Sequence, residues 1–190
     1  MKFSIITPSL NRSSLKQCCE SVDSQSYSHW EHLIAYDGEP RRPFPVDPLR
    51  SDARRKFFVF AKTRMWGNYQ RHHACWYVTG DVTIFLDEDN KMANPDALKD
   101  IAERIQSAPN FAWYLFPIHR HGAVFLMDPP GMCRTDSANM VIRREFAQWP
   151  NTEAREADGM LAERLKTEHP YVAFPDCPPI ITMEHSSDGQ

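Results

Sequence analysis

The chain has 190 residues, of which 42% are hydrophobic and 25% are charged, and its formal net charge at pH 7 is -3. This composition is typical of a globular protein and argues against a disordered chain. Proteins that rely on nonspecific contacts with nucleic acids or anionic membranes are usually basic, so we expect no nucleic-acid partner. The sequence also lacks an apolar run of about 18 residues and an N-terminal signal segment, which predicts no membrane span and a cytoplasmic location.

Strands and helices are predicted to alternate along the first part of the chain. Short apolar runs rich in β-branched or aromatic residues predict strands over 3–7, 32–36, 57–61 and 82–86. Apolar spacing and the absence of proline predict helices after the first strand, over 67–79 and over 95–107, with Ser13 or Ser14 capping the first and Asn94 the last. This alternation is typical of a mostly parallel sheet that helices cover on both faces.

The pattern changes after residue 107. Residues 111–118 and 123–127 are predicted to form a hairpin around His121 and Gly122, with a strand over 140–142 and a helix over 156–166. The length fits one domain over 1–190, in which 1–107 carry the sheet and 108–190 add a smaller mixed region. Ile180 and Ile181 are expected to be exposed in the tail, which weakly favours self-association, but the oligomeric state itself is not predicted.

Polar residues stand at the ends of three predicted strands, where Thr7, Asp37 and Asp87 lie. Ligands bind at the carboxyl ends of the strands in sheets of this kind, so these three positions predict one site. Asp87 begins an acidic run with Glu88 and Asp89, and two carboxylates two residues apart on extended backbone point to the same side. Three neighbouring acids repel one another unless a cation binds, and a divalent cation prefers oxygen ligands. The alternative is a solvated acidic turn at a helix N-terminus.

Four segments in this order resemble the family 2 glycosyltransferases of the GT-A fold: FSIITPSLNR, AYDGEP, GNYQRHHACWYVTGD and VTIFLDEDN. The resemblance implies an α/β fold with a mostly parallel central sheet, helices on both faces and a smaller mixed region on the acceptor side. It also implies an inverting, metal-dependent enzyme that is similar to hexosyltransferases. Such an enzyme transfers a sugar from a nucleotide-diphosphate donor, most commonly a UDP-sugar, to a carbohydrate or other hydroxyl acceptor.

The same resemblance implies roles for the residues that match the family motifs. The nucleotide-sugar site would contain Thr7, Pro8, Asn11, Arg12, Asp37, Arg71, Asp87 and Glu88. Asp37 would accept hydrogen bonds from the base or ribose, and Asp87 would contact the ribose or the donor sugar. Asp89 would bind Mn²⁺ or Mg²⁺ in the DxD motif. His185 resembles the third metal ligand that some GT-A enzymes recruit late in the chain, although an exposed tail histidine is the alternative.

Asp158 best matches the family's general base, which is an aspartate in a short acidic pair that opens a helix. The acid that immediately precedes this aspartate in the family is replaced by Ala157, which leaves Glu156 and Glu153 as alternative bases. A carboxylate that merely stabilises the first turn of its helix is the other interpretation of Asp158.

Two further questions remain open in the sequence. Trp113, Tyr114, Phe116 and Phe125 either line an acceptor cleft or pack in the core. The chain is also compatible with a catalytically degenerate GT-A domain that binds a nucleotide sugar or a protein partner without turnover. A nucleotidyltransferase is disfavoured, because no glycine-rich, lysine-bearing phosphate loop follows the first predicted strand.

Overall fold

The computed structural model describes residues 1–40, 44–47, 52–63 and 65–183. The strands are β1 (Phe3–Ser9), β2 (Trp30–Asp37), β3 (Arg55–Phe60), β4 (Val82–Phe85), β5 (Asn90–Met92), β6 (Trp113–Leu115), β7 (Ile118–Arg120), β8 (Ala123–Phe125), β9 (Met140–Arg143), β10 (Tyr171–Ala173) and β11 (Ile181–Met183). The α-helices are α1 (Ser14–Asp23), α2 (Asn68–Ala74), α3 (Ala97–Ser107) and α4 (Ala157–Glu168). Across these described ranges, every helix is too short or too polar to span a membrane.

The strands form a seven-stranded sheet in the order β10-β6-β9-β4-β1-β2-β3 and a four-stranded sheet in the order β5-β11-β7-β8. In the large sheet β1 pairs in parallel with β2 and β4, β2 pairs in parallel with β3, and β9 is antiparallel to β4 and β6. Successive residues of β1 enter opposite cores, because Ile5 packs with α1 and α3 whereas Ile6 packs with α4. The mostly parallel α/β sheet that the sequence predicted is therefore confirmed.

The boundaries differ from the predicted ones in the first part of the chain. The first strand continues through Pro8 to Ser9, and β4 ends opposite Ile6, so only β2 borders the proline. The predicted helix over 67–79 ends at Ala74 and continues as a 3-10 turn over Cys75–Tyr77. The third helix begins two residues later than predicted, because the Asn94 side chain accepts a hydrogen bond from the backbone of Asp96 and forms a turn instead.

The second part of the chain contributes to both sheets. The predicted strand over 111–118 is divided into β6 of the large sheet and β7 of the small one, and Pro117 lies between them. The predicted hairpin around His121 and Gly122 is present, since β7 and β8 are antiparallel and both turn residues have positive φ.

Two expectations about exposure are settled by these strands. Trp113, Tyr114 and Phe116 are fully buried in the core, whereas Phe125 on β8 is 41% exposed. The prediction that Ile180 and Ile181 are exposed was wrong: both are fully buried, because β11 packs between β5 and β7. The tail therefore provides no apolar surface for self-association at these positions.

A buried carboxylate joins β1, β2 and the turn before β4. Glu31 accepts hydrogen bonds from Ser4 Oγ at 2.7 Å, from the backbone of Thr79 at 2.6 Å and from Lys56 Nζ at 2.7 Å. Burial by itself raises the pKa of Glu31, but these donors together outweigh it and lower the pKa to about 2. The ionised carboxylate is thus stabilised in the folded chain relative to the unfolded one.

We expect Glu31→Gln to lower the free energy of unfolding by about 2 kcal/mol at neutral pH, after allowance for the half-exposed lysine. The folded-state pKa lies below the unfolded value of 4.5, so this contribution is complete above that pH and disappears as the pH falls towards about 2. Urea unfolding at neutral pH and at about pH 3 measures the loss of stability at neutral pH and its decrease in acid. Glu20→Gln, at an exposed carboxylate on α1, is the matched control. A wild-type to Glu31→Gln difference that does not shrink in acid would contradict this account.

Candidate functional site

A cleft of about 550 Å³ opens at the carboxyl ends of β1, β2 and β4. Its lining residues are Pro8, Ser9, Leu10, Arg12, Asp37, Thr63, Trp66, Gly67, Gln70, Arg71, Asp87, Glu88 and Asp89. The strand order explains this position, because adjacent parallel strands end at the same edge of the sheet. The structure thus brings together Pro8, Arg12, Asp37, Arg71 and the acidic run that the sequence predicted for one site.

Thr7 is placed differently from the prediction that it lines the pocket. Its side chain is fully buried and its hydroxyl lies 2.8 Å from His32 Nε2, on the side of the sheet that α1 covers. Arg55 Nε donates to His32 Nδ1 at 3.3 Å, so Nε2 carries the ring hydrogen and donates to Thr7. Burial, reinforced by the Arg55 charge, lowers the pKa of His32 and keeps this imidazole neutral.

The loop after β1 is held in place by Glu88. The Glu88 side chain is 4% exposed and accepts hydrogen bonds from Ser9 Oγ at 2.7 Å and from the backbone of Leu10 and Arg12 at 3.0 and 3.2 Å. Burial raises the pKa of Glu88, while these donors oppose the shift. Asn11 lies within this loop with a left-handed φ of 64°, a conformation that asparagine tolerates better than most residues. Glu88 therefore borders the cleft, but its carboxylate holds protein backbone there, in contrast to its predicted role in donor binding.

The other two carboxylates of the acidic run face different partners. Asp87 forms an ion pair with Arg71, whose guanidinium comes from α2 and is 8% exposed. Asp89 has a side chain that is 28% exposed and lies 3.8 Å from the Arg12 guanidinium. Arg12 also lies 3.7 Å from Glu88, so the repulsion among the three neighbouring acids is relieved mainly by arginine and backbone N–H groups.

Asp89 is the carboxylate of this run that best suits a divalent cation. Within the described ranges, no group of three or more His, Cys, Asp or Glu side chains is arranged to hold a metal ion. His185, the other predicted ligand, lies outside the described residues. One carboxylate is nevertheless a sufficient protein contribution when phosphate and water oxygens complete the coordination, as is usual for Mg²⁺ at nucleotides. The donor set at Asp89 fits a metal that is bound together with a diphosphate.

Asp37 is fixed at the end of β2 by two donors. Its Oδ1 accepts from the backbone of Thr63 at 2.6 Å and from Gln70 Nε2 at 2.9 Å. Gln70 is fully buried on α2 and was not anticipated from the sequence, where it appears as one more polar residue of a helix. The carboxylate therefore stands at the cleft in one orientation.

Asp158 lies in the first turn of α4, and its Oδ1 accepts a hydrogen bond from the backbone of Gly159 at 2.8 Å. Burial raises the pKa of Asp158 to about 6; the charges of Asp136 and Asp87 add to this shift, and the charge of Arg71 opposes it. Asp158 is therefore within electrostatic reach of the cleft. The alternative bases Glu153 and Glu156 are exposed.

Asp136 is a residue close to the site that was not anticipated from the sequence. It caps the short 3-10 helix Ser137–Asn139 by accepting from the backbone of Ala138 at 3.0 Å. Burial and the nearby charge of Asp87 raise its pKa. The loop that precedes it packs closely on α4, since a Cβ at Gly159 would lie 2.9 Å from Met132 Cα. An isolated aspartate in an irregular segment carries no sequence signal for this proximity.

Comparison with known proteins gives a family and a fold. The model for the family described as Glycosyl transferase family 2 matches residues 4–166, whereas the curated proteins contain no match to the chain. The structure of S. aureus TarS 1–349 in complex with UDP-GlcNAc is similar at 17% identity with a TM-score of 0.76, and the match covers 100% of this chain and 62% of that one. Another S. aureus TarS structure matches at 15% identity and a TM-score of 0.77, covering 96% of this chain and 36% of that one.

A second solved protein has a similar fold. The mannosyltransferase PcManGT from Pyrobaculum calidifontis, in complex with GDP-Man and Mn²⁺, matches at 13% identity with a TM-score of 0.69. That match covers 99% of this chain and 58% of the other. This chain therefore spans less than two thirds of the length of each of these solved proteins, and the likeness shows a shared fold.

Gly67 is required at the junction between the cleft and α2. Its φ is +78°, and a Cβ there would lie 3.0 Å from both Pro8 Cβ and an Arg71 guanidinium nitrogen. Gly122 has a similar φ of +77° with open space around it, so Gly122→Ala is a matched control. We expect each alanine to lower the free energy of unfolding by about 1–2 kcal/mol, because its backbone must adopt a left-handed conformation. Gly67→Ala should lower the free energy of unfolding by about 1–3 kcal/mol more, because its methyl group would be crowded against Pro8 and Arg71. Urea unfolding of both variants measures the difference, and equal losses would show that the space at Gly67 is unimportant.

Proposed function

This chain belongs to glycosyl transferase family 2, and we propose that it transfers a sugar from a nucleotide-diphosphate donor to a hydroxyl acceptor with inversion at the anomeric carbon. The single observation that carries the proposal is the cleft at the strand ends, which Asp89 lines and from which the charges of Arg71 and Asp87 act on Asp158. A donor site with a candidate base nearby is what a direct displacement requires.

The donor would lie along the carboxyl edge of the large sheet. Asp37 suits an N–H of a base or a hydroxyl of a ribose, because two donors already hold its carboxylate in place. Asp87 and Arg71 would face the ribose, donor sugar or phosphates. We propose a UDP-sugar as the donor; one similar fold was solved with UDP-GlcNAc and another with GDP-Man. The chain 1–190 would act as one unit, in which 1–107 bind the donor and 108–190 bind a carbohydrate or other hydroxyl acceptor.

Asp89 would hold Mn²⁺ or Mg²⁺ together with the diphosphate. When bound, such an ion neutralises the charge that develops on the leaving diphosphate. The Arg12 guanidinium, 3.8 Å from Asp89, adds positive charge at the same end of the cleft. Glu88 would act indirectly, because it holds the backbone of Leu10 and Arg12 that borders the donor.

Asp158 would accept the proton of the acceptor hydroxyl while that oxygen attacks the anomeric carbon. Its pKa of about 6 leaves it ionised at neutral pH and makes it a stronger base than an exposed aspartate.

One observation favours the second candidate function, a degenerate domain that binds donor without turnover. The acid that the family places before the base is replaced by Ala157, which is buried in the core.

Asp89→Asn should abolish metal-dependent affinity for UDP while leaving the fold intact, since it removes the charge that holds the cation. A nucleotide present at about 100 times its Kd stabilises the protein by roughly 2.7 kcal/mol, which raises the Tm by about 5–10 °C. We expect this rise for the wild type and for Asp176→Asn, an exposed control, with UDP and Mn²⁺ together. Undiminished stabilisation of Asp89→Asn protein would exclude Asp89 as the metal ligand.

Asp158→Asn should keep its affinity for the nucleotide. It should lose sugar transfer and also the slower hydrolysis of the donor, because the amide cannot accept the proton. In the wild type, kcat/KM should fall about tenfold per pH unit below a pKa of about 6, since only the ionised carboxylate is active. Glu156→Gln is the control and should retain turnover. Full activity of Asp158→Asn would move the base to another residue. A wild type that binds UDP-sugars but does not hydrolyse any of them would support the degenerate domain.

A further inference from the structure

The segment that leads into α4 has no regular secondary structure between Ala147 and Glu156, yet it determines where Asp158 stands. Irregular backbone of this kind needs side-chain partners to be held in one position. Trp149 provides part of the anchoring, because its ring is 3% exposed and packs edge-on against Phe85 with centroids 4.6 Å apart. The remaining anchors come from α2, on the donor side of the cleft.

Asn68, the first residue of α2, binds this segment through three hydrogen bonds. Its Nδ2 donates to the carbonyls of Thr152 at 3.0 Å and Ala154 at 2.8 Å, and its Oδ1 accepts from Trp149 Nε1 at 3.0 Å. The side chain is 2% exposed, so water does not replace these bonds easily. Only an amide can donate to two carbonyls and accept from an indole at once, which fixes both the residue type and its orientation.

The same short helix carries the donor contact. Arg71, one turn after Asn68, lies with its guanidinium carbon 4.8 Å from the centroid of the Trp149 ring and pairs with Asp87. His72 Nδ1 donates to the Trp149 carbonyl at 2.7 Å. Trp149 is therefore contacted by three residues of α2, so the helix that holds the donor's ion pair also holds the backbone that precedes the base.

We propose that Asn68 is a positioning residue, which fixes the helix bearing Asp158 relative to the Arg71–Asp87 pair. This inference rests on the proposed function, because it says that one side chain maintains the distance between the bound donor and the base. Asn68 touches neither donor nor acceptor in this role. A displacement of about 1 Å between reacting groups costs on the order of 100-fold in rate, so loosening this anchor should act on turnover and not on donor affinity.

Asn68→Asp is the sharpest test, because it keeps the size and the bond from Trp149 but replaces two donors with a carboxylate oxygen that repels the carbonyls. Gln25→Glu is the matched control: Gln25 is 8% exposed, donates to the carbonyls of Ser21 and Asn94, and accepts from the backbone of Leu98. Both variants lose the same kinds of bond, so their Tm values should fall by similar amounts.

We expect Asn68→Asp to lower kcat for transfer or donor hydrolysis at least about tenfold while the Kd for UDP with Mn²⁺ changes less than about twofold. Hydrogen exchange over residues 149–158 should speed up in this variant and not in Gln25→Glu, whose kcat should match the wild type. Unchanged exchange and kcat in Asn68→Asp, or an equal loss of kcat in both variants, would overturn the inference.

Trp149→Phe provides a second test that keeps an aromatic ring at this position but removes the indole N–H and part of the ring that contacts Phe85 and Arg71. We expect a smaller loss of kcat from it, and a combined loss with Asn68→Asp that is less than the product of the two, because both act on one contact. If Asn68→Asp does not fold, unchanged kcat in Trp149→Phe overturns the inference. A wild type without UDP affinity or turnover would overturn the proposed function, and exchange over 149–158 would still report whether Asn68 anchors the segment.

Discussion

The burial of one guanidinium among carboxylates is the constraint on which the candidate site depends. Arg71 pairs with Asp87 and lies within electrostatic reach of Asp136 and Asp158. Neighbouring acids in a partly dehydrated cleft repel one another, and the pKa values of Asp136 and Asp158 are raised by burial and by this repulsion. The charge of Arg71 opposes that tendency for both Asp136 and Asp158. The position of α2, which carries this arginine, therefore influences the pKa of both Asp136 and Asp158, although burial is the largest influence on each.

Several unrelated parts of the fold fix that position. The left-handed backbone at Gly67 begins α2 against Pro8, where there is no room for a side chain. The Trp66 carbonyl accepts a hydrogen bond from Arg71 at 3.0 Å, and the Trp149 ring lies beside the same guanidinium. Because Trp66 belongs to the segment after β3 and Trp149 to the segment before α4, the arginine is held by both parts of the chain. The first and second parts of the chain are thus joined by packing as well as by the sheet.

The sequence predicted what depends on local pattern. The parallel strands follow from apolar runs, and Asp87 and Asp89 were placed at the cleft because a carboxylate after a buried strand stands at the ligand edge. The direction of each side chain was not predictable. Glu88 turns inward because the loop after β1 presents N–H groups to it, and Thr7 faces α1 because strand residues alternate between the two faces. Asn68 and Asp136 were missed for a related reason, since their importance arises from residues distant in the sequence.

The pKa of Asp158 depends more on contacts with distant parts of the chain than on the sequence motif that contains this residue. In the first turn of a helix, the macrodipole and the backbone N–H of Gly159 both favour the ionised carboxylate, which by itself would lower the pKa. The pKa is nevertheless raised to about 6, because burial and the charges of Asp136 and Asp87 outweigh these effects. Asp136 comes from the loop after β8 and Asp87 from the end of β4. The raised pKa of Asp158 therefore requires these segments to be packed against α4, and so it is a property of the fold and not of its own helix.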